Sequence, residues 1–505
     1  MLRLLSFLQK HEALLIILVI VILLRIPNLF EPYWYGDEAI YLTVGAAMRH
    51  GAVLYKDIID HKTPLIYIFA MVPSEFWFKF VFLNWMVVTT SLFYTICLRL
   101  FSPMKKTVLA VSIFALLTTL PWFEGHIANG ELFTMGFVLA GMALFVRSSL
   151  FSAFEKNKTS FTVEPLRMFL AGICMSLGIL TKVPAAFDVA AVAPVFAFVF
   201  LRSITWKNFR SLLTSGVLIW IGIFVPIAFS IAYFASQRGL ADYAQFGLLY
   251  NFRYSKEFSI PVTQPLLQFL FTMPGKLLII GLFGFATLIL QKFMRPMFRF
   301  ILLWFTLSLF ASLLSSRPYP HYFLQMLPAF SLLIVEMFSK KNIIEKLAGV
   351  SALFLGIAAL FFLHVGLYSV KDYYGNFFQF ATRRISAIEY RNRFNPLMDD
   401  TYAVAQNIRE TTKPEDRIFI WGTNPMVYAL SRRDPAGRFT VSFHIKDFNA
   451  YQETMTSIER TKPPIIVLMN DEDGEFDAFY TYLQKNYAAI KRLSTMTVYR
   501  RVVWN

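Results

Sequence analysis

Charged residues and cysteines are both scarce in this chain of 505 residues. Only 16% of the residues are charged, whereas 56% are hydrophobic, which excludes an ordinary soluble domain. The only two cysteines, Cys97 and Cys174, each lie inside an apolar run, so neither a disulfide framework nor a cysteine-based metal site is expected. The sequence also lacks a glycine-rich phosphate loop, which argues against nucleotide binding. The composition predicts an integral membrane protein whose stability comes from packing.

Apolar runs of roughly 17 to 25 residues predict about eleven transmembrane helices. Their centres lie near residues 21, 90, 114, 139, 173, 192, 222, 284, 306, 330 and 357. The first run follows Arg3 and Lys10 as a signal sequence would, but no small-residue cleavage site ends it, so a retained helix is expected. The predicted fold class is therefore an α-helical polytopic membrane protein.

Acidic residues are fewer than basic ones, and the net charge is +16. In a membrane protein such an excess normally lies in cytoplasmic loops, so nucleic-acid binding is not expected. The basic residues do cluster in alternate loops, at 105–106, 156–167, 202–210, 292–299 and 340–346. This pattern predicts a multi-pass protein of the cytoplasmic (inner) membrane. The N-terminus is predicted to be cytoplasmic and the C-terminal part extracytoplasmic.

Of the segments predicted to lie on the outer side of the membrane, two are expected to be structured. The first is a loop of about residues 30–78, in which 64–77 is expected to form an interfacial helix. The second begins near residue 371, where charges appear and apolar runs shrink to strand length. Strands are predicted at 417–422, 438–444, 463–469 and 496–503, alternating with helices near 398–411, 447–460 and 474–487. The expected organisation is a transmembrane domain of 1–370 and a small α/β domain of 371–505.

Ionisable residues beside membrane helices are costly and mark candidate functional sites. In this chain they gather at the predicted outer helix ends, which favours a site that faces outward. The group consists of Asp37, Glu38, His61, Lys62, Glu124, His126, Glu131, Lys182, Asp188, Arg253, Arg317 and His321.

The order of several short motifs resembles the C-type membrane glycosyltransferases, the superfamily of protein O-mannosyltransferases and lipid A aminoarabinose transferases. The matching stretches are the Asp37-Glu38 pair after the first helix, His61-Lys62-Thr63-Pro64, GELFTMGF around Glu131, LGILTK ending in Lys182, and RPYPHYFLQMLPAFSLL from Arg317. The resemblance covers residues 1 to about 370. Many relatives carry a second proline at the position of Thr63, so the start of that interfacial helix is expected to differ.

The resemblance implies an inverting transfer of one sugar from a polyprenyl-phosphate donor to a hydroxyl of a lipid, glycan or protein acceptor. Asp37 is the expected base, since a hydroxyl nucleophile needs a carboxylate within about 3 Å of its proton. A phosphate leaving group needs positive charge rather than an acid, and Lys62, Lys182 and Arg317 are expected to supply it. Further site candidates are Glu38, His61, Glu131, His321 and Tyr322.

The role of Glu38 stays open at this point. It would orient a basic residue, contact the sugar, or join His61 in holding a divalent cation, since some members of the family use a metal ion and others do not.

Other interpretations also remain open. The carboxylates would serve as helix caps, and the cations and Tyr322 as interfacial anchors. At the level of function, the alternatives are a transporter or flippase for lipid-linked glycans, which needs polar groups near the midplane, or a binder without catalysis. The loop of about 236–275 and the C-terminal domain are the expected places for acceptor selection, and the sequence does not indicate which sugar or acceptor is used.

Overall fold

A computed structural model describes residues 11–254, 264–338, 342–472 and 475–502. Arg3, Lys10, Lys340 and Lys341 of the predicted cytoplasmic clusters lie outside these residues, as does part of the loop of about 236–275. Contacts group the chain into two compact units. Unit 1 comprises Met1–Ile26, Phe82–Tyr233 and Phe252–Val370, and unit 2 comprises Pro27–Val81, Phe234–Asn251 and Lys371–Asn505. The proposed domain boundary near residue 371 remains a prediction.

Among the described residues, six helical segments are long and apolar enough to cross a membrane. They are Glu12–Phe30, Glu75–Leu100, Ala185–Arg202, Trp206–Ser236, Met273–Lys292 and Ile343–Phe362. The helices Gly130–Val146 and Ser149–Glu155 make a seventh if the pair, bent by 71°, counts as one span. Every predicted span centre falls within a helix or a span of this kind, although four helices are shorter: Met104–Leu117, Pro165–Thr181, Pro296–Ser312 and Leu327–Met337. The total of about eleven crossings remains a prediction.

Unit 1 is a helical bundle whose helices approach closely at glycines. A Cβ atom added to Gly172 would lie 2.2 Å from the carbonyl oxygen of Ile219, and one added to Gly222 would lie 2.2 Å from that of Phe169. Small residues at a helix crossing allow close backbone packing in a membrane, where hydrophobic burial contributes little to association. Helices Pro165–Thr181 and Trp206–Ser236 therefore cross at these two glycines.

Unit 2 contains the first predicted outer loop. Helix Gly36–Arg49 follows the first span, and a five-residue helix, Leu65–Phe69, follows Pro64. The predicted interfacial helix of 64–77 is thus much shorter than expected, because residues 70–74 are not helical and Glu75 begins the next span. The two helices pack closely, since a Cβ atom on Gly45 would lie 2.4 Å from the carbonyl oxygen of Ala70.

The C-terminal part of unit 2 holds a four-stranded sheet in the order β1-β2-β4-β3. The strands are β1, Phe419–Trp421; β2, Ile465–Met469; β3, Tyr487–Arg492; and β4, Met496–Arg501. β1 and β2 are parallel, whereas β4 runs antiparallel to both β2 and β3. The longer helices of the C-terminal segment are Val370–Ala381, Met398–Thr411, Tyr451–Thr461 and Asp477–Asn486. Buried Ile418, Ile420, Val467 and Val498 form the core of this part.

The predicted strand at 438–444 is wrong. Phe439 forms only an isolated parallel bridge with Ile59 of the first outer loop, and helix Ser442–Asp447 then begins. The β-forming residues of this stretch are thus used for one bridge instead of a strand.

The remaining described elements are short connections. Short helices occur at Ala387–Asn392, Met426–Ser431, Leu240–Asp242, Tyr250–Tyr254 and Pro265–Phe271. A π-helix lies at Tyr243–Leu249, and 3₁₀ turns lie at Pro27–Phe30, Pro121–Phe123, Leu290–Lys292 and Pro320–Met326.

Candidate functional site

The carboxylates of Asp37 and Glu38 occupy the first turn of helix Gly36–Arg49. Successive residues of a helix point about 100° apart, so the two side chains face different surroundings. The side chain of Asp37 is 30% exposed, and its Oδ2 accepts a hydrogen bond of 3.3 Å from the hydroxyl of Tyr41. Glu38 is buried. Asp37 alone of the pair is therefore open to an approaching molecule.

Lys62 joins Asp37 to a second carboxylate that is fully buried. Its Nζ lies 3.2 Å from Oδ2 of Asp37 and 3.7 Å from Oδ2 of Asp60. The same ammonium lies 5.0 Å from the centre of the Tyr41 ring, which adds a cation–π contact. Lys62 is itself buried, so it is held inside unit 2 rather than extended along the membrane interface.

Two buried tyrosines fix the backbone of Lys62. The hydroxyl of Tyr55 donates to the Lys62 carbonyl at 2.6 Å, and the hydroxyl of Tyr67 accepts from the Lys62 amide at 3.2 Å and donates to Asp60 Oδ2 at 2.6 Å. Tyr55 adopts a φ of 66°, a left-handed conformation that an aromatic residue rarely takes. A strained residue of this kind persists where the surrounding contacts demand it. The position of Lys62 is thus strongly constrained.

Asp60 remains ionised despite its burial. Burial raises the pKa of this carboxyl, but the charge of Lys62 is the largest of the effects that oppose burial, and the net result is a pKa well below its usual range. The fixed negative charge of Asp60 attracts the ammonium of Lys62 and holds it in place. We call Asp37, Tyr41, Asp60, Lys62 and Tyr67 the first-loop cluster.

Two histidines lie on the other side of Asp60. The Nδ1 of His61 is 3.1 Å from Asp60 Oδ1 and 3.2 Å from Nε2 of His444, and Nε2 of His444 is 3.7 Å from Asp60 Oδ1. His444 comes from helix Ser442–Asp447 of the C-terminal part. Burial lowers the pKa of His444 to about 3, so this imidazole is neutral at physiological pH. Among the described residues, these three are the set with the spacing of metal ligands.

Glu38 belongs to a separate buried group around Lys79. The Nζ of Lys79 lies 2.8 Å from Glu75, and 3.8 Å from each of Glu31 and Glu38. All four side chains are buried. Of the three roles considered for Glu38, orientation of a basic residue is the one for which this geometry supplies the partner. The carboxylate beside His61 in the candidate metal set is instead Asp60.

A second constellation lies in unit 1, and we call Glu124, Glu131, Lys182, His321 and Tyr322 the Glu131 cluster. Lys182 forms an ion pair with Glu131, and its Nζ lies 4.8 Å from the centre of the Tyr322 ring. His321 contacts Glu124 through Nδ1, and its Nε2 lies 4.0 Å from Glu131. Burial lowers the pKa of His321, but the carboxylates Glu131 and Glu124 outweigh burial, so the net shift of that pKa is upward.

Arg317 lies in unit 1 with its guanidinium 3.9 Å from the centre of the Tyr254 ring. Lys182 belongs to the same unit, whereas Lys62 belongs to unit 2. The expected convergence of the three cations therefore remains a prediction.

Sequence reasoning missed several residues that the structure brings to these groups. Asp60 immediately precedes His61 and Lys62, and this run of three ionisable residues was the available signal. Glu75 and Lys79 are four residues apart on one helix, a spacing that favours an ion pair. His444 carried no signal, since it is 383 residues from His61. Asp188, which had no assigned role, accepts a hydrogen bond of 2.8 Å from the indole of Trp304.

Comparison with solved structures identifies the fold. ArnT from Cupriavidus metallidurans in the apo state aligns with a TM-score of 0.56 and 13% identity over 98% of each chain. The same protein bound to undecaprenyl phosphate aligns with a TM-score of 0.53 and 14% identity over 97% of this chain and 98% of that one. The archaeal oligosaccharyltransferase AglB from Archaeoglobus fulgidus, in complex with an inhibitory peptide and a dolichol-phosphate, gives a TM-score of 0.42 and 13% identity, over 92% of this chain and 70% of that one.

No family model and no curated protein sequence matches the chain. The alignment with ArnT nevertheless spans nearly the full length of both chains. The chain therefore has the fold of ArnT, which confirms the predicted polytopic helical fold with a small C-terminal sheet.

Proposed function

We propose that this protein is an inverting glycosyltransferase that moves one sugar from a polyprenyl-phosphate donor to an acceptor hydroxyl at the outer face of the inner membrane. The observation that carries the proposal is the pairing of a partly exposed Asp37 with a buried Lys62. The fold supports it, because ArnT, which shares the fold, has been solved with undecaprenyl phosphate bound. The motif resemblance to C-type glycosyltransferases points to the same reaction class.

Asp37 is the proposed base. It accepts the proton of the acceptor hydroxyl while that oxygen attacks the anomeric carbon of the donor sugar, and the bond from this carbon to the phosphate oxygen breaks. A single displacement of this kind inverts the anomeric centre. The carboxylate is 30% exposed, so an acceptor has access to it, and Tyr41 holds it by a hydrogen bond from the same helix. A positioned base of this kind contributes typically about 10²- to 10⁴-fold in rate.

Lys62 is the proposed partner of the donor phosphate. The leaving group is already anionic and needs no proton, so a fixed cation stabilises the charge that develops on it. The ammonium of Lys62 is shared between Asp37 and Asp60. When Asp37 engages the acceptor, the buried Asp60 holds the ammonium of Lys62 in place. Asp60 is therefore a positioning residue rather than a catalytic one.

Lys182 and Arg317 remain proposed donor-phosphate ligands, and His321 and Tyr322 remain proposed neighbours of that site. Each of the two cations lies against an aromatic ring, Tyr322 for Lys182 and Tyr254 for Arg317. A cation–π contact of this kind attracts the charged group to the face of the ring and so restrains its orientation. Glu131 would restrain Lys182 in the absence of donor.

The test is release of polyprenyl phosphate. The purified protein is incubated in detergent with a panel of polyprenyl-phosphate hexoses, pentoses and aminosugars and with extracted envelope acceptors, and products are identified by mass spectrometry. We expect release of free polyprenyl phosphate from at least one donor, together with a glycosylated acceptor. Donor binding without release would overturn the proposal in favour of a non-catalytic binder. Movement of an intact donor across proteoliposomes would favour a flippase.

A further inference from the structure

We propose that Asp60, His61 and His444 form a zinc site that joins the first outer loop to the C-terminal part of unit 2. All three residues are buried, and each directs one ligand atom at the other two. The inference does not depend on the proposed glycosyl transfer, because it rests on the geometry of unit 2 alone.

The spacing of the three ligand atoms fits a tetrahedral metal ion. Zinc binds imidazole nitrogen at about 2.0 to 2.1 Å and carboxylate oxygen at about 2.0 to 2.2 Å, which places neighbouring ligands of a tetrahedron about 3.3 Å apart. In this chain the three separations are 3.1, 3.2 and 3.7 Å. The three atoms thus already form one face of such a tetrahedron and need only small movements to hold the ion.

The two carboxylate oxygens of Asp60 have different surroundings, and Oδ1 is the one that faces the two histidines. Asp60 Oδ2 accepts the hydrogen bond from Tyr67, and Lys62 lies on that same side. Its Oδ1 is buried and, although close to both rings, makes no hydrogen bond of normal geometry with the described residues. A buried carboxylate oxygen without such a bond is costly, and a cation between it and the two rings would satisfy it.

The chemistry of the ligands favours zinc over magnesium or calcium. Two imidazole nitrogens and one carboxylate are typical zinc ligands, whereas magnesium and calcium prefer oxygen alone.

The site has the surroundings that orient metal ligands. Asn251 donates a hydrogen bond of 2.9 Å to the backbone carbonyl of His61, and the ring of Tyr250 lies with its centre 5.5 Å from that of His61. Two of the proposed ligands, Asp60 and His61, directly precede Lys62 in the chain. Asp60 faces His61 through Oδ1 and Lys62 through Oδ2. A bound zinc ion would therefore restrain the backbone before Lys62 and the carboxylate of Asp60, which pairs with Lys62. Asp60, His61 and His444 would then act as positioning residues.

The test measures metal binding directly. The full-length protein, freed of any polyhistidine tag, is treated with a chelator, exchanged into zinc, separated from unbound ion and assayed by inductively coupled plasma mass spectrometry. We expect about one zinc ion per chain, no retained magnesium or calcium, and, with cobalt in place of zinc, the strong visible absorption of a tetrahedral site. His444→Asn and Asp60→Asn are expected to lower the bound zinc at least tenfold.

His50→Asn is the matched control. His50 also pairs across the chain with an aspartate of the C-terminal part, Asp434, but it lies at the surface. This variant is expected to retain the full zinc content. Failure of the wild-type protein to retain zinc or cobalt overturns the inference whether or not the variants fold. Equal zinc in wild type and a folded His444→Asn variant would also overturn it.

Discussion

The ammonium of Lys62 lies 3.2 Å from the carboxylate of Asp37 and 3.7 Å from that of Asp60, although Lys62 is separated from Asp37 by 24 intervening residues. One of the two acids is partly exposed and the other is fully buried. The arrangement separates two tasks. The buried acid fixes the cation, and the accessible acid exchanges this cation for the acceptor hydroxyl during the proposed reaction.

The Lys62–Asp60 pair should be strongly coupled in stability. Lys62→Met leaves the Asp60 carboxylate buried beside fewer positive charges, and removing one member of a buried pair typically costs about 3 to 5 kcal/mol. Adding Asp60→Asn removes that uncompensated charge and should recover a large part of the loss. Thermal unfolding of both single variants and the double variant in detergent measures the coupling. Simple addition of the two single effects would contradict it.

Lys79 should be essential for folding rather than for transfer. It is the cation among Glu31, Glu38 and Glu75, and Lys79→Met would leave three buried carboxylates without it. We expect a loss of about 3 to 5 kcal/mol, visible as a lower unfolding temperature. Lys79→Arg is the control, because it retains the charge, and it should lose less. A Lys79→Met protein as stable as wild type would show that the group does not hold unit 2 together.

The pH dependence of stability should report His321. Its pKa is raised above the ordinary value of about 6.5, so the protonated ring stabilises the fold fully below that pH, and this contribution disappears as the pH rises through the folded-state pKa. The unfolding temperature of wild type should therefore fall more steeply above pH 6.5 than that of His321→Gln. Exposed His50→Gln serves as the control and should follow wild type. Parallel curves for wild type and His321→Gln would exclude the assigned contribution.

Gly45 should be required for the packing of the first outer loop. A Cβ atom at this position would lie 2.4 Å from the carbonyl oxygen of Ala70, and backbone cannot move aside cheaply. Gly45→Ala should destabilise the protein by about 1 to 3 kcal/mol. Gly375→Ala, on a helix with open space around the glycine, should instead be neutral or stabilise by about 0.5 to 1 kcal/mol. Equal unfolding temperatures for the two variants would contradict this account of the packing.

The sequence predicted most helices and strands correctly, because their formation depends on the residues within each segment. The length of the apolar runs predicted helices such as Glu75–Leu100 and Trp206–Ser236. In lipid each spanning segment must satisfy its own backbone hydrogen bonds, so the signal is contained within the segment. Strands β1, β2 and β4 were also predicted, since they are short segments rich in β-branched and aromatic residues. Strand β3, with the weak pattern YAAIKR, was missed because its pairing with β4 outweighs its local preference.

The candidate site shows the limit of the same reasoning. The position of Asp37 and Lys62 in the first outer loop was available from motif order, but their ion pair was not. Asp60 directly precedes the motif His61-Lys62-Thr63-Pro64, yet it was not predicted as a site residue. Partners brought from afar by tertiary structure, such as His444 beside His61, leave no periodic signal in a single sequence.

The most direct test of the proposed reaction compares Asp37→Asn with Asp57→Asn. Asp57 lies in the same outer loop, but it is exposed and accepts only a backbone hydrogen bond from Val53 in the described contacts, which an asparagine oxygen can also accept. With the donor that wild type uses, Asp37→Asn should release polyprenyl phosphate at least about 100-fold more slowly, while donor binding and unfolding temperature stay close to wild type. Asp57→Asn should release it at the wild-type rate. Release by Asp37→Asn at the wild-type rate would contradict the assignment of Asp37 as the base.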